Sequence, residues 1–188
     1  MAGLRTGGDG VSRCWWAGSD PLMLAYHDDA WGRPERNPTM LFELLTLESF
    51  QSGLSWITIL RKRQAFRAAF GGFDAARVAA YGEEDVQRLL GDASIVRNRA
   101  KIEAAIANAR AIDALDRPLA EVLWEFAPPP RPRPSDGDEI PAATDDSQAL
   151  SRELKRRGFR FLGPTTVYAF MQAAGLVDDH VAGCERAP

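Results

Sequence analysis

The only cysteines and histidines of the chain lie near its two ends, as Cys14, His27, His180 and Cys184. If two thiolates and two imidazoles bound one zinc ion in a tetrahedron, the ends would have to meet in the fold. Such a site would be structural, because four protein ligands leave no position for an activated water. A disulfide between Cys14 and Cys184, uncommon inside cells, and four unrelated residues are the alternatives. The spacing is not that of a standard zinc finger, so these readings stay open.

The remainder of the sequence is patterned for helices. Apolar residues recur at steps of three and four, without a convincing strand-like alternation, which predicts an all-α fold. Asp20 before Pro21 has the form of a helix cap, and another helix is expected from Thr39. Further helices are expected over residues 57–70, 83–90, 99–114, 119–126, 147–157 and 165–174. With 188 residues and 45% hydrophobic content, the chain can bury a core in one domain.

Two segments do not read as helix. Residues 1–12 are glycine-rich and predict a flexible tail, so that residues 13–188 would form a single unit of two helical lobes. Residues 128–146 contain six prolines and predict an irregular surface loop. No apolar run is long enough to cross a bilayer and no signal peptide is evident, so we expect a soluble, cytoplasmic protein without a membrane partner.

Local positive patches are needed if the partner is a nucleic acid, because the formal net charge is -3. Three clusters of basic residues occur, around positions 61–67, 97–101 and 152–160. Each cluster is equally compatible with a solvated helix face. Charge alone therefore does not choose between a nucleic-acid partner and none.

A carboxylate is predicted on an apolar helix face. Leu41, Leu44, Leu45 and Glu48 fall at positions i, i+3, i+4 and i+7 of one helix, so Glu48 should be at least partly buried. A buried carboxylate needs a cation, hydrogen-bond donors or a ligand. Both an ion pair with a nearby arginine and a ligand site fit this pattern.

Aromatic residues cluster in sequence near the first helix. Met23, Tyr26 and His27 share one helix face, and Trp16, Trp31 and Trp56 add flat rings. Most such rings belong to a core, but rings beside one carboxylate also suit a planar, cationic base. A stacking pocket is the functional interpretation of this arrangement.

The segment 83–101 predicts two helices joined by a short turn, in the manner of a helix-hairpin-helix. Ser94 and Ile95 fall in the turn, and Arg97, Arg99 and Lys101 follow it. Backbone N–H groups in such a turn, with basic side chains beside them, can hold a DNA phosphate. Any two helices joined by a tight turn would give a similar pattern.

Together these motifs resemble the DNA-3-methyladenine glycosylase I family. The matching stretches are 13–16, 20–22, 26–28, 31–32, 47–48, 53–56, 95–101, 151–159, 170–173 and 175–180. They occur in order from about Arg13 to Cys184.

The resemblance implies a helix-hairpin-helix DNA glycosylase fold whose N- and C-terminal segments are joined by structural zinc on Cys14, His27, His180 and Cys184. It places Glu48, Tyr26 and Trp56 in the base pocket. We predict that Glu48 is the catalytic group and that Met23, on the same helix face as Tyr26, and Trp16 also contact the base. The implied reaction hydrolyses the N-glycosidic bond of 3-methyladenine in double-stranded alkylated DNA, releasing the free base without a lyase step. Gly53 and Leu54 would enter the DNA gap, and the family favours a monomer.

Two residues depart from the family pattern. Met23 stands where a second tyrosine is common, so the pocket lacks a ring and a hydroxyl that are common in the family. Ser94 stands near an expected hairpin glycine and restricts positive backbone dihedrals at the phosphate contact. A catalytically weak or silent module that binds alkylation damage is the alternative function. Asp116, downstream of the hairpin, is a second candidate for the catalytic group, although it also reads as a solvated surface residue.

Overall fold

The computed structural model describes residues 3–188, so Met1 and Ala2 of the expected tail lie outside the described residues. Two short strands precede a series of helices. The strands are β1 (Leu4–Thr6) and β2 (Ser12–Cys14). The helices are α1 (Pro21–Asp29), α2 (Pro38–Gln51), α3 (Trp56–Ala69), α4 (Ala75–Ala79), α5 (Glu83–Gly91), α6 (Arg99–Asp113), α7 (Leu119–Trp124), α8 (Asp145–Arg156) and α9 (Pro164–Ala173).

The predicted helices are confirmed within a few residues, and their starts have clear causes. The Asp20 carboxylate accepts the N–H of Leu22 ahead of Pro21, and Asn37 caps α2 in the same manner ahead of Pro38. Proline costs nothing at these positions because the N–H it lacks would have no partner in the first turn. Helix α4 was not predicted, since five residues are too few to show a helical period.

The N-terminal hairpin corrects the expectation of an entirely helical fold. Strands β1 and β2 pair antiparallel, with Leu4 opposite Cys14. Residues 4–6 of the predicted tail therefore have regular structure. Each strand has only three residues, which is too short for an alternating pattern to be recognised in the sequence.

Two hydrophobic clusters meet along α2. Leu41, Leu44 and Leu45 lie in the first cluster with α8 and α9. Phe42 and Phe50 lie in the second with α3 and α6. Helix α2 is therefore buried on both sides, and every residue from Leu41 to Phe50 is buried, the polar ones included.

The two ends of the chain lie side by side, as the terminal cysteines and histidines suggested. The Glu185 N–H donates to the Ser12 carbonyl, and the Glu185 carboxylate accepts the Ser12 N–H. Nearby, the Val181 N–H donates to the Cys14 sulfur over 3.3 Å.

No helix within residues 3–188 is both long and apolar enough to cross a membrane.

Candidate functional site

A cavity of about 420 Å³ lies where α1, α2, the start of α3 and α9 converge. Glu48 and all four predicted base-binding residues border it, namely Tyr26, Trp56, Met23 and Trp16. Trp31, one of the rings that suggested a stacking pocket, also lines it. Further lining residues, which the sequence reasoning did not assign to the pocket, are Trp15, Gln51, Gly137, Ile140, Ala169 and Gln172. The volume lies in the range typical of small-ligand sites.

Glu48 is a buried carboxyl group without a protein partner. Its exposed fraction is 6%, and burial raises its pKa to about 8. Among the described residues it forms no hydrogen bond and no ion pair. The predicted alternative of an arginine partner is not what the structure has, because Arg63 and Arg67 pair instead with Glu43 on the same helix. Glu48 is thus protonated near neutral pH and available to a ligand.

Aromatic rings form the walls around this carboxyl group. The centroids of Tyr26 and Trp56 lie 5.2 Å apart, and those of Trp16 and Trp31 lie 4.8 Å apart. Burial and the nearby Glu48 raise the pKa of Tyr26, so its hydroxyl stays neutral. The Nε1–H of Trp56 is buried without a partner in residues 3–188. A flat ring with hydrogen-bonding edges would fit between these walls.

The predicted metal ligands are brought together in part. Ligand atoms of Cys14, His27 and Cys184 all lie within 4.8 Å of one another, and all three residues are buried. Both cysteines are free thiols, so the disulfide alternative is not observed. The Cys184 sulfur lies 3.6 Å from His27 Nε2. These three residues could hold a metal ion.

His180 lies beside this group but outside the set of three. Its ring centroid is 5.3 Å from that of His27, and its Nε2 atom is buried with no partner in the part of the chain described. The Nδ1 atoms of both histidines instead meet carboxylates, Asp28 for His27 and Asp178 for His180, each at 2.8 Å. Carboxylates in this position typically orient imidazoles whose other nitrogen binds a metal.

The predicted DNA wedge lies at an exposed turn beside the cavity. Leu54 is 37% exposed, and Gly53 has a positive φ of 85° that favours glycine. The Gln51 side chain, which lines the cavity, donates to the Leu54 carbonyl over 2.8 Å. The turn is therefore tied directly to the pocket wall.

The predicted hairpin has the expected helices, α5 and α6, but its turn is partly occupied. The N–H and the hydroxyl of Ser94 both donate to the Asp92 carboxylate, and the buried Ile95 uses its N–H on the Asp92 carbonyl. Ser94 is not among the residues with positive φ, so the turn closes without the expected glycine. The Ser94 N–H, which the prediction would have donate to a DNA phosphate, is therefore already bonded to the Asp92 carboxylate.

The three predicted basic residues of the hairpin have different surroundings. Lys101 is 8% exposed, and its ammonium donates to the carbonyls of Phe50 and Ser52 at the end of α2. Arg99 pairs with Glu83 and Glu103. Arg97 is exposed, with no ion pair among the described residues. Direct contact with DNA therefore fits Arg97, whereas Lys101 supports the Gly53–Leu54 turn from inside.

A second cavity, of about 550 Å³, lies between α5, α6 and the end of α8. It contains none of the predicted site residues. Its charged lining includes Glu83, Glu103 and Arg157, which already pair with other side chains. Of these two cavities the aromatic one is the stronger candidate, because in it the buried Glu48, unpaired among the described residues, faces several rings.

The fold and the pocket thus define a mostly helical protein with an aromatic-walled cavity suited to a flat heterocyclic ligand. Comparison with known proteins identifies that class more closely. Residues 16–187 match the family model for methyladenine glycosylase. DNA-3-methyladenine glycosylase 1 from Escherichia coli (strain K12) is 50% identical over 179 residues, covering 93% of this chain and 96% of the relative.

Solved structures give the same result. A crystal structure of 3-methyladenine DNA glycosylase I has a TM-score of 0.90 and 49% identity, covering 94% of this chain and all of the other. A variant of 3-methyladenine DNA glycosylase I solved in complex with 3-methyladenine has a TM-score of 0.88 and 36% identity, covering 92% and 96%. The chain belongs to the methyladenine glycosylase family.

Proposed function

We infer that the chain is a monofunctional DNA glycosylase that hydrolyses the N-glycosidic bond of 3-methyladenine in alkylated DNA, the first step of base excision repair. The observation that carries this conclusion is the unpaired Glu48 carboxyl group at the wall of an aromatic cavity. It is supported by the 50% identity to a DNA-3-methyladenine glycosylase. The reaction leaves an abasic site and releases the free base.

Cleavage of the N-glycosidic bond to this base needs little help from a general acid. A ring-methylated adenine nucleotide is cationic, so the base is already a good leaving group. The enzyme has mainly to extrude the nucleotide, which costs least for a poorly paired base, and to favour the bond-breaking geometry. A cationic base in the cavity would lower the pKa of Glu48 and leave an ionised acceptor for the base edge. Trp56 and Tyr26 provide stacking surfaces beside it.

The partner is double-stranded alkylated DNA, and the free base is the product. Leu54 would fill the gap left by the extruded nucleotide, as apolar wedges do in other DNA complexes, and its exposure beside the cavity supports this role. Arg97 would contact phosphate at the hairpin, and its exposure supports this role. We propose that the protein acts as a monomer in the cytoplasm. We also propose that it has two helical lobes with the base pocket between them. Trp56, which packs against both hydrophobic clusters, supports that pocket position.

We propose that Cys14, His27, His180 and Cys184 bind one structural zinc ion. The donor set suits zinc, and the orphaned Nε2 of buried His180 is the observation that supports a fourth ligand. When bound, the ion would supply no catalytic water but would fix the joined ends of the chain. His27 would then hold α1, on which the neighbouring Tyr26 lines the cavity.

A released-base assay tests the proposed function. Purified protein is incubated with methylated duplex DNA, and free 3-methyladenine, 7-methylguanine and 3-methylguanine are separated and measured. The expected result is catalytic release of 3-methyladenine in excess of both guanines. Tight binding of methylated DNA with no free base released would instead establish the silent damage-binding module.

A further inference from the structure

Gln172 on α9 lines the same cavity as Glu48. Its side-chain Nε2 atom donates to Oδ2 of Asp179 over 2.9 Å. A carboxylate can only accept hydrogen bonds, so this contact fixes the amide with its nitrogen towards Asp179. The other amide atom, Oε1, forms no hydrogen bond with any residue in the described range 3–188.

Asp179 is itself held firmly. Its side chain is fully buried, and Oδ2 also accepts the Tyr168 hydroxyl over 2.5 Å. The Arg131 guanidinium donates to Oδ1 over 2.7 Å and to the Tyr168 hydroxyl over 2.8 Å. Arg131 belongs to the proline-rich segment that also contributes Gly137 and Ile140 to the cavity wall. The amide of Gln172 is thus oriented by a connected polar network rather than by a single contact.

This network has an electrostatic consequence for the cavity. The Asp179 carboxylate draws the positive end of the amide dipole towards itself and directs the negative, oxygen end the other way. An oxygen acceptor polarised in this manner favours a cationic ring that carries N–H donors. Adenine-type bases present an amino group at the position where guanine-type bases present the O6 acceptor.

We propose that Gln172 is a specificity-determining residue whose Oε1 accepts a hydrogen bond from the exocyclic amino group of the extruded base, with Asp179, Tyr168 and Arg131 as positioning residues. An amino group has two N–H donors, so Glu48 and Gln172 can each accept one. A guanine-type base would place its O6 acceptor against the Gln172 oxygen and leave both unpaired, which disfavours it. This inference rests on the proposed glycosylase function.

The test compares Gln172→Met with the wild-type enzyme. Methionine retains length and packing but has no amide, and Asp179 keeps its bonds to Tyr168 and Arg131, so the fold should survive. Gln148→Met, at an exposed position of α8, is the matched control. Release of 3-methyladenine and of 3-methylguanine is measured under single-turnover conditions on the same methylated duplex.

We expect Gln172→Met to release 3-methyladenine about tenfold more slowly, as for loss of one hydrogen bond, while the slow release of 3-methylguanine changes less than about twofold, so that discrimination between the two bases narrows. Binding of a duplex with a stable abasic-site analogue should not change, because that ligand has no base. A fall in both release rates and in abasic-site binding would show a merely structural role and overturn the inference, as would an unchanged ratio. Failure of the wild-type enzyme to release 3-methyladenine would contradict the proposed function itself.

Discussion

Two buried glutamates on α2 differ in a way that separates structure from function. Glu43 receives Arg63 and Arg67 in short ion pairs. Glu48, one and a half turns later, faces the cavity and has no ion pair within the described residues. A protein that only needed a stable helix would do better with an apolar residue there, because burying an unpaired carboxyl group costs free energy. The cost is understandable if a cationic ligand supplies the missing partner.

Because the pKa of Glu48 is raised, this side chain should lower the free energy of unfolding by an amount that grows as the pH rises. Burial raises its pKa from 4.5 to about 8. Between these values the unfolded chain has lost the proton that the folded chain still holds, so folding stability falls as pH rises. Glu48→Gln should therefore be more stable than the wild type at pH 8.5, by roughly 2 to 5 kcal/mol, with the advantage shrinking towards pH 5. Thermal unfolding of both proteins across this range is the measurement, and a pH-independent difference would contradict the stated origin.

At the scale of elements, the turn between α2 and α3 depends on a residue from another helix. Lys101, on α6, donates to the carbonyls of Phe50 and Ser52, which end α2 just before Gly53 and Leu54. Carbonyls at a helix end have no partner within the helix. The hairpin that the sequence suggested for DNA contact thus also supports the wedge, by a route that the sequence did not show.

Lys101→Met should weaken this turn. Loss of the hydrogen bonds to the buried Phe50 carbonyl and the partly buried Ser52 carbonyl is expected to destabilise the fold by about 1 to 3 kcal/mol and to slow base release, because Leu54 is held less firmly. The exposed Lys155→Met is the control for loss of positive charge. If both variants lost activity equally, with unchanged stability, Lys101 would act through charge on DNA and our assignment would be wrong.

The elements show clearly what sequence could and could not predict. Helices α1 and α2 were predicted because Asp20-Pro21 and a long apolar period are local signals. The burial of Glu48 followed from the same period. The burial of Lys101 depends on backbone carbonyls about fifty positions earlier in the chain. The role proposed for Gln172 depends on Asp179 and Arg131, which come from different segments. Such long-range partners leave no trace in local spacing.

For the whole molecule, the joined ends and the base pocket share a layer of rings. The ring centroid of Trp16 lies 5.0 Å from that of His27, and the Trp16 ring also lines the cavity. The ring centroid of Trp31 lies 4.6 Å from that of His180, and Trp31 also lines the cavity. A change among the proposed zinc ligands would therefore reach the pocket walls through packing, without any role of the metal in the reaction.

Gly32→Ala should disturb the proposed zinc site without removing a ligand. A Cβ at this position would lie 2.5 Å from a ring carbon of His180, and the φ of Gly32 is positive. We expect lower zinc content and a lower melting temperature. Gly72→Ala has a similar φ but no neighbour within 4 Å, so it reports the backbone strain alone.

Cys184→Ser removes a proposed ligand directly and should lose both zinc and stability. Metal content by atomic emission and thermal unfolding are measured on the same samples. Stoichiometric zinc with full thermal stability in Cys184→Ser would refute the zinc proposal, whatever the behaviour of Gly32→Ala.

We assign the function of the base pocket to the Glu48 carboxyl group rather than to Asp116. The competing Asp116 is exposed and pairs with Arg157 at the surface. Single-turnover release of 3-methyladenine should fall at least a hundredfold in Glu48→Gln, an order of magnitude typical for loss of a buried charged partner in the transition state, and stay within twofold in Asp116→Asn. Unchanged release by Glu48→Gln, or a large loss in Asp116→Asn, would contradict the assignment of Glu48 to the base pocket.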